Sequence, residues 1–579
     1  MSGLPAAKRL FACDRTALWS RVSLIGILLF VAFIRFRLRD TPLERDEGEY
    51  AYGGQLLLHG IMPAKLLYTI KLPGTHAAYA VLMALFGQTC SGIHFGFLLV
   101  NLVTIWLVFT LGRRVAGNLA GVTAAATYAL LSLSPDALGT SAHATHFVVV
   151  FALAGLCLLS FSIPNSSADL SSSSCSENHP PLIRLFLSGL LLGTSVLMKH
   201  NGIIFVGFAL IWLLGLVLGR KLGPLRSIIE SAALFIVGLV LPFAALVLVL
   251  ACAHTLDRQW FWSVTYAGAY GKENPGLIII WRSLTQRMPL TLQLPFNLSL
   301  LALVAIWFRR GSRVGAWFLA GLFLCSIAAV TPGFHFRPHY YVLLMPAVAL
   351  LTGALVQQAA DLFQRVPLRP LVAIPVLALL FAKEIYHDRQ FFFELSPVDA
   401  CRALYGYQPF PEARVLGEYL RSHSSPDARI VVLGSEPEIY FYSHRLSATG
   451  YIYTYPLTEH HRYAQQMRDE LAREVAAMQP QFIVVVPTWT SWLARPSGRQ
   501  RVLNIADTLI PPGYRAIGRC DFFPAESRVE WHWAADIPDS PNADLLVLER
   551  RADQISVSRG TGASATRLLP PGRFTQWTF

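Results

Sequence analysis

The chain has 579 residues, of which 54% are hydrophobic and only 14% are charged. About a quarter of the residues in a soluble protein are charged, so this composition excludes an ordinary soluble protein and indicates a polytopic membrane protein. The formal net charge is +13, but Lys and Arg occur in twos and threes between apolar runs, without the continuous basic stripe of a nucleic-acid-binding protein. We therefore expect no nucleic-acid partner.

Apolar runs long enough to cross a bilayer, about 20 residues each, recur through the first two thirds of the chain and predict about eleven transmembrane helices. The run at 76–87 is too short to span, and we expect it to lie in the interface, with Thr75 as a candidate N-cap. The predicted spans are 18–37, 92–112, 115–133, 143–163, 182–198, 201–219, 228–253, 290–308, 314–331, 339–358 and 368–386.

The basic residues between the spans predict the orientation. With a cytoplasmic N-terminus, the loops that fall inside carry Arg and Lys, whereas the outer loop at 134–142 carries neither, as the positive-inside rule requires. We therefore expect an integral protein of the bacterial inner membrane, with the first outer loop and the C-terminal part facing the periplasm. The inner basic residues are Arg113, Arg114, Arg220, Lys221, Arg226, Arg309, Arg310, Arg313, Arg365 and Arg369.

The composition changes to that of a soluble domain after residue 388. Two short apolar runs, "ARIVVLG" at 428–434 and "PQFIVVV" at 480–486, have the pattern of buried strands. The run at 460–478 between them has the amphipathic pattern of a helix, and a third apolar stretch follows at 543–549. A segment of this size can fold alone. With an odd number of spans, this α/β domain lies on the outer side.

The predicted fold is thus a polytopic α-helical membrane protein with a C-terminal soluble α/β domain. Its parts are a transmembrane domain at 1–388 with a first outer loop at 38–91, an outer α/β domain at 389–550, and a polar tail at 551–579. The serine-rich run at 164–181 is predicted to be a flexible cytoplasmic linker, and the tail to be disordered.

The cysteines suggest neither a metal site nor a redox site, because none of the eight forms a C-x-x-C pair. Cys401 and Cys520 both fall in the predicted outer domain. A disulfide is allowed there, but sequence alone does not show whether the two residues are close.

The first outer loop contains "LERDEGEYAYGGQLLLHG" at 43–60, with three carboxylates at Asp46, Glu47 and Glu49. The local pattern by itself favours a helix cap, with Asp46 as N-cap and Glu49 in the capping-box position. Ionisable residues at bilayer depth are costly and usually functional, and several others accompany these three at the outer face. They are Lys71, Asp136, Lys199, His335, Arg337, His339 and Tyr340.

Each of these residues also has a structural interpretation. Lys71 can extend its ammonium to the membrane surface, and Asp136 can cap the next helix. The His and Tyr residues can belong to an aromatic belt at the interface. The grouping of so many ionisable residues on one side favours a site.

Four segments of the chain match motifs of a known family, and the likeness covers most of residues 15–455. They are "RDEGEYAYGGQLLLHGIMPAKLLYTIKLPGT" in the first outer loop, "LMKHNG", "HYYVLLMPAVALL", and "GSEPEIYFYSHR" in the outer domain. In these segments the chain resembles the glycosyltransferase C superfamily. It is most similar to the branch that contains protein mannosyltransferases and the lipid A aminoarabinose transferase. The serine-rich linker and the polar tail depart from the family pattern.

The resemblance implies a sugar donor that is a polyprenyl-phosphate monoester. It also implies an acidic catalytic residue in the first outer loop, a position that Asp46 matches, and a lysine that contacts the donor phosphate, which Lys71 matches. Asp136 lies in the next outer loop, where the family has a second acidic residue. Some members use a divalent metal at the acidic site, for which Asp46, Glu47 and Asp136 would supply oxygen ligands.

The residue types fit this chemistry independently of the resemblance. A polyprenyl phosphate leaves as a stabilised anion, so the reaction needs positive charge at the phosphate and one carboxylate that removes a proton from the acceptor. An inverting single displacement follows. The acceptor, a lipid, a glycan or a protein, is not identified by the sequence. The candidate phosphate-binding residues are Lys71, Lys199, Arg337, His339 and Tyr340.

Two other classes of function share some of these sequence features. A flippase or transporter of lipid-linked saccharides would also have many helices and charges within the membrane. Such proteins often contain repeated halves with broken helices, and the sequence contains no such repeat. A non-catalytic scaffold would leave Lys71 and the neighbouring carboxylates without a role.

Overall fold

The structure is a computed structural model that describes most of the chain. The serine-rich run, the polar tail and most of the last predicted span, 368–386, lie outside the described residues. The described ranges are 6–161, 182–218, 225–270, 277–308, 313–362, 381–459, 461–493, 499–534 and 543–551.

The described membrane part consists mainly of helices. In chain order they are α1 (Ala6–Arg37), α2 (Arg45–Leu58), α3 (Gly74–Phe86), α4 (Cys90–Ala116), α5 (Asn118–Leu133), α6 (Ala144–Phe161), α7 (Leu182–Met198), α8 (Gly202–Leu218), α9 (Leu225–Cys252), α10 (Leu256–Trp260), α11 (Ala267–Tyr270), α12 (Leu277–Gln286), α13 (Leu290–Ala305), α14 (Arg313–Val330) and α15 (Met345–Leu362). A π-helical segment, Phe261–Tyr266, separates α10 from α11, and 3-10 turns at Pro135–Ala137 and Pro338–Leu343 precede α6 and α15.

Four of the described helices are long and apolar enough to cross a membrane: Leu18–Arg37, Cys90–Ala116, Arg226–Cys252 and Arg313–Val330. The shorter apolar helices include α3, which falls on the run predicted to lie in the interface; the others lie close to runs that predicted spans. The helical membrane class is confirmed, whereas the number of eleven spans stays a prediction. Thr75 does not cap α3. Pro73 is the N-cap, and the Thr75 hydroxyl donates instead to Met198 O, at 2.7 Å, at the end of α7.

A buried arginine of α1 fixes the second outer loop. The Arg35 guanidinium donates to Ser132 O at 2.7 Å and to Gly139 O at 2.9 Å, and its Nε donates to Asn101 Oδ1 at 3.2 Å. Arg35 is only 4% exposed, so these bonds meet the requirement that a buried charge be fully hydrogen-bonded. The loop that follows α5 is therefore held against α1 and α4.

The C-terminal part is an α/β domain. Its elements are α16 (Pro397–Tyr405), α17 (Phe410–Ser422), β1 (Arg429–Leu433), α18 (Glu438–Ser443), β2 (Leu446–Ser447), α19 (Tyr455–Thr458), α20 (Ala464–Met478), β3 (Phe482–Val485), α21 (Trp489–Trp492), α22 (Arg499–Leu509), β4 (Tyr514–Phe523), β5 (Arg528–Trp533) and β6 (Leu545–Arg550). They confirm the predicted C-terminal sheet domain. Cys401 and Cys520 are both buried free thiols.

The six strands form one mixed sheet in the order β2-β1-β3-β6-β4-β5. β1 is parallel to β2 and to β3, with Val432 opposite Val484. β6 is antiparallel to β3 and β4, and β5 is antiparallel to β4. The three predicted apolar runs correspond to β1, β3 and β6, which are adjacent in the sheet. Their sequences are continuously apolar because both faces of these strands are covered.

The C-terminal α/β domain, called the outer domain after its predicted side, contacts α2 directly. The Arg45 side chain forms an ion pair with Glu436 at 2.7 Å, and Gln55 Nε2 donates to Phe441 O at 3.2 Å. Gly48 lies against the backbone of Glu438, where an added Cβ would approach the amide nitrogen to 2.5 Å. The first outer loop and the outer domain are therefore packed as one unit around α2.

Candidate active site

The N-cap of α2 is Glu44. Its side chain accepts a hydrogen bond from Glu47 N at 3.0 Å, and the Glu47 carboxylate accepts one from Glu44 N at 3.3 Å, which completes a capping box. Asp46 is therefore not the cap that the local pattern by itself favoured. Because the cap lies two residues earlier, the Asp46 carboxylate is not occupied by the helix terminus and lines a cavity.

Asp46 forms an ion pair with Lys71. Lys71 Nζ donates to Asp46 Oδ1 at 2.8 Å and also to the Glu49 carboxylate. The same ammonium lies 4.5 Å from the centre of the Tyr50 ring, a cation–π contact. Gln259 Nε2 donates to Lys71 O at 3.2 Å and fixes the backbone that carries the ammonium.

The ion pair sets the charge of both groups. Burial acts to raise the pKa of Asp46, but the neighbouring Lys71 ammonium outweighs it, and the pKa lies well below its ordinary value. Burial acts to lower the pKa of Lys71, but the Asp46 and Glu49 carboxylates outweigh it and raise that pKa. Both groups are therefore charged at neutral pH.

A cavity of about 430 Å³ opens beside this pair, between the first outer loop, the end of α7, the loop before α15 and the outer domain. Besides Lys71, three cations line it: Arg45, Lys199 and Arg337. Arg45 is already paired with Glu436. Lys199 Nζ lies 4.0 Å from the centre of the Tyr340 ring, and burial lowers the pKa of Lys199 to about 7. All of the predicted phosphate-binding residues line this cavity.

Two histidines lie next to Asp46. The rings of His143 and His339 stack at a centroid distance of 4.1 Å, and His339 Nε2 lies 3.9 Å from Asp46 Oδ2. One ligand atom from each of the three residues lies within 4.8 Å of the others. Among the described residues, neither ring nitrogen of His143 has a hydrogen-bond partner.

This trio is the site in the cavity that a divalent metal would fit. Two imidazoles and one carboxylate form a donor set that suits zinc or another first-row transition metal better than magnesium, which prefers oxygen ligands. His143 is buried, and its Nδ1 lies 3.5 Å from Glu44 Oε1. Its Nε2 has no hydrogen-bond partner among the described residues and suits a metal-ligand role. The sequence-based candidates for metal ligation were Asp46, Glu47 and Asp136, and of these the trio contains Asp46 alone.

Glu47 is used in a different way. Its carboxylate accepts hydrogen bonds from Ala142 N at 2.6 Å and pairs with His94 Nε2 at 2.9 Å, in addition to its part in the capping box. It does not line the cavity. The structure gives Glu47 the role of holding the second outer loop, and with it His143, beside α2.

Asp136 also lies outside the cavity lining. It sits in the turn before Leu138, and the charged group it influences is Asp388. Burial raises the pKa of Asp388 to about 6, and Asp136 acts in the same direction. The structure therefore brings Asp46, Lys71, Lys199 and the 337–340 segment together but leaves Asp136 out.

Three features of the cavity were not predicted from the sequence: Glu44, His143 and the tyrosines of the outer domain. Tyr453 OH lies 3.4 Å from Asp46 Oδ1, and its ring stacks on Tyr455 at 5.4 Å. The weak signals for these residues were the second histidine-bearing segment, "SAHATH", and the clustered tyrosines of "GYIYTYP".

No protein-family model and no curated protein matches the chain. Among solved structures, ArnT from Cupriavidus metallidurans, bound to undecaprenyl phosphate, aligns with a TM-score of 0.54 and 15% identity over 92% of this chain and 98% of that chain. The chain has the glycosyltransferase C fold. The archaeal oligosaccharyltransferase AglB from Archaeoglobus fulgidus, in complex with an inhibitory peptide and a dolichol-phosphate, has a TM-score of 0.49 and 12% identity over 90% of this chain and 76% of that chain.

Proposed function

We propose that the protein is a membrane glycosyltransferase that takes a sugar from a polyprenyl-monophosphate-linked donor, releases the polyprenyl phosphate, and transfers the sugar to an acceptor at the outer face. The observation that carries this proposal is the ion pair of Asp46 with Lys71 inside a cavity that Lys199 and Arg337 also line. A carboxylate beside several cations is what this reaction needs, since the base and the phosphate must lie on either side of one sugar.

The cations act on the donor phosphate. Lys71, Lys199 and Arg337 line one cavity, and together they stabilise the negative charge that grows on the phosphate as the bond to the sugar breaks. The Tyr340 ring lies against Lys199 and limits where its ammonium points. The undecaprenyl phosphate in the ArnT structure supports this proposal by analogy of fold.

Asp46 acts as the general base. In the free enzyme Lys71 holds its pKa low, so the carboxylate is charged but only weakly basic. When the Lys71 ammonium turns towards a bound phosphate, part of that stabilisation is withdrawn and the carboxylate becomes more basic. Donor binding thereby prepares Asp46 to remove the proton of the acceptor, which attacks the sugar from the side opposite the phosphate, with inversion.

Asp46, His143 and His339 would hold a divalent metal if one is required. Such an ion would supply positive charge for phosphate or acceptor oxygens. Glu47 and Arg35 contribute at a distance, because they hold the second outer loop and so position His143.

The finer parts of the assignment follow from sequence and topology. We place the site and the outer domain in the periplasm of a bacterial inner membrane, and the transferred group is a hexosyl or pentosyl residue. The acceptor is a lipid, a glycan or a protein.

The test uses the purified full chain in nanodiscs, without any membrane gradient. Undecaprenyl-phosphate-linked mannose, glucose or arabinose is supplied with a membrane lipid extract as acceptor, and released undecaprenyl phosphate is measured. Wild-type protein should release it and Asp46→Asn should not, while Asp427→Asn, a change at an exposed outer-domain carboxylate, should behave as wild type. Equal release by wild type and Asp46→Asn would contradict the proposal.

A further inference from the structure

The segment 256–270 forms one wall of the cavity through an uncommon backbone. Phe261–Tyr266 is a π-helical stretch, a conformation that recurs at functional sites. Trp262 and Tyr266, four residues apart, both line the cavity. The side chain of Gln259, just before this stretch, donates to Lys71 O, so the wall is fixed relative to the ion pair.

The indole of Trp262 has an unused donor. Trp262 is 3% exposed, and among the described residues its Nε1–H has no hydrogen-bond partner. Buried donors of this kind are rare in native proteins, and each calls for an acceptor. The ring itself is held in place, because it stacks on Tyr68 at 5.7 Å and Tyr68 N donates to Gly450 O at 2.7 Å.

A carboxylate faces the same part of the cavity. Glu459 is partly buried and lines the cavity, and its Oε2 accepts a hydrogen bond from Tyr266 OH at 3.1 Å. A carboxylate has about four acceptor positions, so capacity remains for a ligand. The Arg337 guanidinium lies close enough to act on Glu459 electrostatically, which links this part of the cavity to the cations at the phosphate.

We propose that Trp262, Tyr266 and Glu459 form a saccharide subsite, in which a sugar oxygen accepts a hydrogen bond from Trp262 Nε1 and a sugar hydroxyl donates to Glu459. The inference rests on the proposed function and deepens it. Aromatic side chains with one polar tip suit a ligand with apolar ring faces and hydroxyl edges. A second phosphate is disfavoured here, because Glu459 would repel it.

A sugar ring reaches this subsite from one of two sources, the donor or the acceptor. The first arm of the test compares dissociation constants of undecaprenyl phosphate with those of undecaprenyl-phosphate-linked mannose, glucose and arabinose. The second arm titrates methyl mannoside, methyl glucoside and methyl arabinoside onto protein saturated with undecaprenyl phosphate. Both arms use the full chain in nanodiscs.

The central variant is Trp262→Phe, which keeps an aromatic ring and removes the donor. Its matched control is Trp260→Phe, because Trp260 belongs to the same segment but is 61% exposed. Glu459→Gln, at a partly exposed position, is the second variant in case Trp262→Phe does not fold. Trp262→Phe should weaken sugar binding about tenfold, the effect of one hydrogen bond, and Glu459→Gln should weaken it as well.

If the variants weaken the binding of the sugar-linked lipids alone, the subsite holds the donor sugar. If they weaken the binding of the methyl glycosides alone, it holds the acceptor. Either result supports the subsite, provided that binding of undecaprenyl phosphate itself is unchanged. The proposal is overturned if wild-type protein binds no sugar in either arm. It is also overturned if Trp262→Phe and Glu459→Gln bind sugars as tightly as Trp260→Phe does. The same holds if the two variants weaken the binding of undecaprenyl phosphate as much as they weaken the binding of sugars.

Failure of the proposed function would look different. Lys71→Ala should weaken the binding of undecaprenyl phosphate, which has no sugar. If it does not, the phosphate site is misplaced whatever the Trp262 variants do. If Lys71→Ala weakens it and the two subsite variants leave sugar binding intact, only the saccharide subsite is refuted.

Discussion

Lys71 Nζ lies 2.8 Å from Asp46 Oδ1 and also donates to Glu49. One ammonium is therefore shared by two carboxylates of α2, at the wall of the cavity. The consequences of this sharing for catalysis and for stability can be separated by mutation.

Asp46→Asn should reduce transfer by about 10²- to 10⁴-fold, the usual contribution of a general base. Folding and donor binding should be retained, because Glu44 and not Asp46 caps α2 and because Lys71 keeps Glu49 as a partner. The measurement is kcat and donor Kd for the purified variant. Transfer at the wild-type rate would remove Asp46 from the mechanism.

Lys71→Ala should weaken donor binding and slow the chemical step, since the attraction to phosphate strengthens in the transition state. It should also destabilise the protein by about 3–5 kcal/mol, because the buried Glu49 carboxylate loses its ammonium partner. The double variant Lys71→Ala/Glu49→Gln separates the two effects. It should recover part of the lost Tm without recovering donor binding, and recovery of both would contradict a phosphate role for Lys71.

Asp136→Asn should leave transfer close to the wild-type rate, because Asp136 does not line the cavity. Glu47→Gln should reduce transfer through a different route, since its carboxylate holds Ala142 N and so positions His143. Comparing kcat for the two variants tests this distinction. A large loss in Asp136→Asn with an intact Glu47→Gln would reverse the assignment of these two carboxylates.

Donor affinity should depend on pH through Lys199. Burial lowers its pKa to about 7 in the free protein, so its ammonium is fully present below that pH and is lost as the pH rises through 7. A bound phosphate favours the charged form, and affinity for the donor should therefore fall above pH 7. The ligand is a sugar-linked undecaprenyl phosphate, whose phosphate does not titrate in this range. Lys199→Arg should flatten the profile, and an unchanged profile would show that another group titrates.

The membrane helices could be predicted from sequence because an apolar run of about 20 residues has few alternatives. β1, β3 and β6 were found for a similar reason, since strands buried on both faces are continuously apolar. β4 and β5 were missed because neither is a continuous apolar run. Arg515, Arg519 and Asp521 interrupt β4, and polar and apolar residues alternate along β5.

The site was predictable where it has a local motif and not where tertiary contacts build it. Asp46 and Lys71 lie in a segment with a family resemblance. The cap at Glu44 was missed because glutamate is not among the preferred N-cap residues. His143 reaches Asp46 because Arg35 and Glu47 hold its loop, and Trp262 reaches the cavity through a π-helical segment. These are long-range contacts that no local pattern reports.

The most direct test of the account is a cryo-EM structure of Asp46→Asn in nanodiscs with undecaprenyl-phosphate-linked sugar, since this variant should bind the donor without consuming it. We expect phosphate density in contact with Lys71 and Lys199, with the sugar between the phosphate and residue 46. Donor density elsewhere, such as the crevice between α5 and α13, with the Lys71 cavity left empty, would contradict it.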